Sequence, residues 1–142
     1  MEEDYQAAFL KRAVDVSVLE VNERKIAAMH LGGVTIECLL KYMIFASLPK
    51  GAIWEWKTDS NDPGHTITNP GHSYQNALRR QQRLQNRIQR FPEVRQWLDD
   101  VENPGRSFIN LRYSGDEPDE SDYQQWQKSY KRLKKWLQNQ AT

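Results

Sequence analysis

A chain of 142 residues, 38% apolar and 27% charged, has the size and composition of a single globular domain and is too short for two independent cores. No run of apolar residues approaches the roughly 18–20 that cross a bilayer. The acidic start Met1-Glu2-Glu3-Asp4 lacks the basic, then apolar, character of an export signal, so the expectation is a cytoplasmic domain with no membrane contact. The net charge of +1 conceals blocks of opposite sign. Residues 79–95 carry six arginines against Glu93 (+5), residues 99–122 carry eight acids against Arg106 and Arg112 (−6), and residues 123–142 carry five bases and no acid (+5). Such fields speak to partners rather than to fold.

In chain order, the first helix is predicted from about Asp4 to Leu19, with Tyr5, Ala8, Phe9, Arg12, Val16 and Leu19 on one face. A second runs from about Asn22, expected as its N-cap, to Leu48, where Pro49-Lys50-Gly51 stops it. This should be the central helix, with Ala28, Leu31, Thr35, Cys38 or Leu39, Tyr42 and Phe45 as its buried stripe. Cys38, the single cysteine, has no disulfide partner and is expected to pack. Gly32-Gly33 interrupts an otherwise strong helix former. Each interior glycine costs about 0.8–1 kcal/mol against alanine, so the doublet predicts the close approach of another backbone.

Residues 49–71, with Pro49, Gly51, Pro63-Gly64 and Pro70-Gly71, read as one long irregular connection carrying Trp54 and Trp56, which either cover the bundle or meet a partner. A third helix is predicted from Pro70-Gly71-His72-Ser73 to Arg90, with Tyr74, Ala77, Gln81, Leu84, Ile88 and Phe91 inward. At about 100° per residue, Arg79, Arg83, Arg87 and Arg90 then form a cationic ridge on the opposite side, suited to phosphate. Pro92 opens a fourth helix carrying Val94, Trp97, Leu98 and Val101, closed by Asn103-Pro104-Gly105. Ser107–Tyr113 is β-prone and is expected as a short extended link. After the acidic turn Ser114–Asp122, a last helix repeats Tyr123, Trp126, Tyr130, Leu133 and Leu137 at packing intervals.

On the second helix, Gly33-Val34-Thr35-Ile36-Glu37-Cys38-Leu39-Leu40-Lys41 resembles the Gly-Tyr-Ala-x-Glu-x-x-Leu-Lys pattern of the HEPN superfamily (higher eukaryotes and prokaryotes nucleotide-binding domain). Val34 stands for the aromatic and Thr35 for the alanine. Arg112-Tyr113, just ahead of the last helix, is similar to a second element of that family, and the resemblance spans roughly Tyr5 to Leu137. It implies an all-α, up-and-down bundle of four to five helices with one long loop, about 49–71, forming a homodimer. Many members are metal-independent ribonucleases that use an arginine followed, after four to six residues, by a histidine at the dimer interface. Here Arg112 is followed by Tyr113-Ser114-Gly115-Asp116-Glu117-Pro118-Asp119, with no imidazole to move a proton.

The resemblance therefore implies a non-catalytic module that binds RNA, a nucleotide or a protein partner, in a toxin–antitoxin or defence setting. Arg79, Arg83, Arg87 and Arg90 are its candidate phosphate contacts. The alternative is a metal-independent ribonuclease with a non-standard site drawn from Arg112, Tyr113, Glu37, Lys41 or a loop histidine. Arg24 and His30 have the family spacing but lie about 120° apart on one helix. Asp62, His65 and His72 follow no metal-ligand spacing, so neither metal nor cofactor is expected.

Overall fold

The computed structural model describes residues 4–48, 55–57, 66–68 and 70–141. The protein is a helical bundle in which α1 (Tyr5–Val21), α2 (Lys25–Ala46), α3 (Tyr74–Leu78), α4 (Gln82–Gln89), α5 (Pro92–Glu102) and α6 (Glu120–Gln140) pack together with a 3-10 helix, Phe108–Tyr113. Asp4 caps α1 by accepting from the Ala7 amide at 2.9 Å. α1 and α2 form a hairpin through Asn22-Glu23-Arg24, with Glu23 at φ 57. Contrary to the expectation from sequence, Asn22 does not cap α2; it closes α1, its side-chain amide donating to the Val18 carbonyl at 2.8 Å. Pro92 enters α5 in the first turn, where its missing N–H costs nothing, and Glu120 and Asp122 complement the dipole at the start of α6.

Three elements depart from the sequence reading. The predicted third helix is two, broken at Arg79–Gln81; Gln81 leaves helical geometry at φ −135 and donates to the Leu40 carbonyl of α2 at 3.3 Å. Ser107–Tyr113 is not extended: Phe108–Tyr113 winds as the 3-10 helix, held down by the buried Phe108 and Leu111. Within the long connection, β1 (Glu55–Lys57) and β2 (Thr66–Thr68) pair in parallel, Trp56 opposite Ile67. The expectations for Trp54, for the Trp56 side chain, and for Asp62 and His65 lie outside the described residues.

α2 is the central helix, in contact with α1, α3, α5, α6 and the 3-10 helix. It is buried on most sides rather than along one stripe: Ala28, Thr35, Cys38 and Leu39 are inside as expected, joined by Met29, Ile36, Leu40, Met43 and Ile44, whereas Leu31, Tyr42 and Phe45 are only partly covered. By length and composition alone it matches a membrane span, with an 18-residue window of mean hydropathy 1.2, but 67% of that window is buried in the bundle. Gly32 and Gly33 do admit a close neighbour. The neighbours are aromatic rings rather than a backbone: Trp126 of α6 lies on Gly32 and Phe108 on Gly33. On α6, all five residues of the expected repeat, Tyr123, Trp126, Tyr130, Leu133 and Leu137, are buried.

Candidate functional site

Two polar regions stand out, one at the C-terminal end of α2 and α6 and one midway along α2. At the first, the helix break changes the predicted ridge. Arg83, Arg87 and Arg90 keep their helical spacing on α4 and its cap, but Arg79 belongs to the end of α3, so the four do not share one helix face. The break turns Arg80 toward a groove of about 540 Å³ that it lines with Arg83 and Arg87, against Met43, Ser47 and Gln140. Arg79, Arg80, Arg83, Arg87 and Arg90 are all exposed. Arg79 donates to the Asn76 side chain at 3.2 Å and Arg87 to the Gln140 side chain. Among the described residues none of the five is paired with a carboxylate. Phe91, expected inside, is instead 40% exposed beside Arg90, its ring edge-on to Trp136 at 6.1 Å.

At the second region Glu37 is the hub. Its carboxylate takes Lys41 Nζ at 3.5 Å and accepts from His72 Nδ1 at 2.6 Å, with the Glu37 and Lys41 side chains 13% and 7% exposed. Lys41 also lies 5.7 Å from the centre of the Tyr5 ring. His72, preceding the Ser73 cap of α3, stands edge-on to Phe108 at 6.4 Å. His30 Nδ1 donates to the backbone carbonyl of Phe108 at 3.0 Å. Tyr74 donates its hydroxyl to the Gly33 carbonyl at 2.6 Å, and its amide to the Glu102 carboxylate at 2.9 Å. Burial pushes the Tyr74 phenol well above its ordinary value. Burial also raises the Glu102 carboxyl, against the lowering effect of the Tyr74 amide.

The Glu37–Lys41 pair is thus where helical spacing places it, and its histidine neighbour comes from the far end of the long connection. Arg112 and Tyr113 do not join this cluster. Both are exposed, the guanidinium lying 4.8 Å from the Tyr113 ring centre. Among the described residues no hydrogen bond or ion pair joins either to Glu37 or Lys41. Sequence reasoning missed Arg80, because periodicity runs unbroken through residues 74–88, and missed the His72 contact, because no local pattern encodes a pairing 35 residues apart. Compared with known proteins, the chain matches no family model, no curated protein and no solved structure.

Proposed function

We propose that this chain is an RNA-binding helical module of HEPN-like type that does not cut its ligand and works as a homodimer. The observation that carries the reading is the set of five exposed arginines without a carboxylate partner among the described residues, three of them lining one groove. Guanidinium groups offer planar paired donors that match phosphate. The exposed Phe91 ring beside Arg90 supplies a face on which a base can stack. The second subunit is assigned to α1, whose outer face carries Leu10, Val14, Val18 and Val21 uncovered.

Fluorescence anisotropy of a labelled single-stranded RNA tests the reading. Binding at micromolar protein in low salt, weakening steeply as salt rises and reduced by Arg83→Ala/Arg87→Ala, is the expected result. Absence of binding at low salt would remove it.

One observation favours a second reading, a metal-independent ribonuclease with a non-standard site. The Glu37 carboxylate holds the Nδ1–H of His72. In the neutral ring this leaves Nε2 as a free base, and the side chain is 53% exposed. RNA cleavage without metal, lost in His72→Ala, would establish this reading in place of the first; intact RNA after prolonged incubation excludes it.

A further inference from the structure

The opposite end of the bundle carries a cleft of about 480 Å³ with the opposite charge. Asp100, Asp116, Glu117 and Asp122 line it against a single Arg106, a net −3, and Ile26 and Met29 of α2 supply apolar lining. Asp100 accepts from Ser129 at 2.6 Å and from Gln96 at 2.8 Å. These neutral donors leave its charge uncompensated, and among the described residues none of the four carboxylates is in an ion pair. Trp126, 2% exposed, forms part of the cleft lining, and its indole N–H has no acceptor among the described residues. A buried N–H without a partner is costly.

The cleft and the arginine groove sit at opposite ends of the same two helices. Met29 and Gln125 line the first, Met43 and Gln140 the second. At 1.5 Å per residue these positions are about 21 Å apart along the helix axes. The groove carries +3 from Arg80, Arg83 and Arg87, with no acid in its lining. Each molecule therefore presents two concave surfaces of similar volume and equal, opposite, unpaired charge, pointing in different directions.

We propose that the acidic cleft receives the arginine-bearing turn between α3 and α4 of a second copy, so that copies associate head to tail. Arginine forks pair with carboxylates, and the cleft's net −3 matches the groove's +3. Because the two surfaces are different patches at opposite ends, the contact is heterologous and propagates rather than closing on a two-fold axis. Pairing through the apolar face of α1 would be isologous and insensitive to salt, whereas this contact is electrostatic and screened. The inference does not depend on RNA binding, although it uses some of the same arginines.

Sedimentation velocity of the full chain, freed of nucleic acid, tests it. In low salt the weight-average mass is expected to rise with protein concentration. In about 1 M salt, where the screening length falls to about 3 Å, it returns to a constant baseline. Asp116→Asn/Glu117→Gln and Arg80→Gln/Arg83→Gln should each hold the mass at that baseline in low salt. All four residues are exposed, and unchanged thermal melts confirm that the variants fold. An equimolar mixture of the two variants retains one intact cleft and one intact arginine turn between them. Unlike either variant alone, it should therefore associate in low salt and rise above the baseline mass. A wild-type mass independent of concentration in low salt, association that persists in either variant, or a mixture that stays at baseline would each overturn the proposal, and all three leave the RNA reading standing.

Discussion

At Gly33 two opposing effects can be weighed directly. Alanine there would gain about 1 kcal/mol of helix propensity. Its Cβ, however, would fall inside 3.0 Å of three atoms of Phe108, a fully buried ring that also meets Tyr74 at 5.3 Å and so has little room to withdraw. Overpacking of a tight core costs about 1–3 kcal/mol or more. Gly33→Ala is therefore expected to destabilise the fold by about 1–2 kcal/mol in urea denaturation, and a neutral or stabilising result would show that the ring yields freely. Glu102 makes a second case. Burial raises its carboxyl above the ordinary value of 4.5, so the folded state binds a proton more tightly than the unfolded chain. This contribution favours the fold below pH 4.5 and declines as pH rises to the raised value. Glu102→Gln keeps an acceptor for the Tyr74 amide and removes the charge. Its stability relative to wild type should rise between pH 4.5 and 7, and a difference that is flat or falling over that window would contradict the assignment.

Among the elements, α1, α2, α5 and α6 were legible because each has an apolar period that its own length can bury. The repeat of α6 and the Pro92 start of α5 are examples in which local chemistry and tertiary packing agree. The break between α3 and α4 was not legible. Arg79-Arg80-Gln81-Gln82 contains neither glycine nor proline, and the buried set Tyr74, Ala77, Leu78, Leu84 and Ile88 keeps a helical phase across it. What distinguishes it is the long-range bond from Gln81 to the Leu40 carbonyl. Ser107–Tyr113 read as a short extended link for the same reason: its β-prone composition is overridden by the seat that Gly33 and His30 provide for Phe108. On α1 the inward face was expected, but the second apolar face was not. Leu10, Val14, Val18 and Val21 are 55%, 62%, 55% and 83% exposed and fall within about 80° of arc. Polar substitutions there remove no core contact, so Val14→Gln/Val18→Gln should change stability by less than about 0.5 kcal/mol. If α1 pairs with a second copy, the same change halves the mass measured by light scattering in high salt. A wild type already monomeric in high salt would refute that pairing.

The whole molecule is electrically polar along α2 and α6, which run in the same direction from the acidic cleft to the arginine groove. Helix electrostatics accounts for part of this segregation: Glu120 and Asp122 stand in the first turn of α6, where the dipole is positive, and the arginines of the groove lie near the carbonyl end of α2, whereas Asp100 lies in the last turn of α5. An overall charge of +1 consequently says little about how the protein meets a polyanion, because a ligand within a screening length of the groove faces only the basic end. That separation makes the salt dependence of RNA binding informative about individual arginines. For a single strand, the logarithm of the binding constant falls with the logarithm of salt by about 0.7 for each phosphate neutralised. If Arg83 and Arg87 each hold one phosphate, the double alanine variant should bind more weakly and show a slope shallower by about 1.4. Arg112→Ala, remote from the groove and stacked on Tyr113, should leave the slope unchanged. Weaker binding with an unaltered slope would mean that the two arginines shape the groove without touching phosphate. A shallower slope in Arg112→Ala would move the contact surface to the 3-10 helix, whose Arg112 and Tyr113 the resemblance had put forward as candidate catalytic residues.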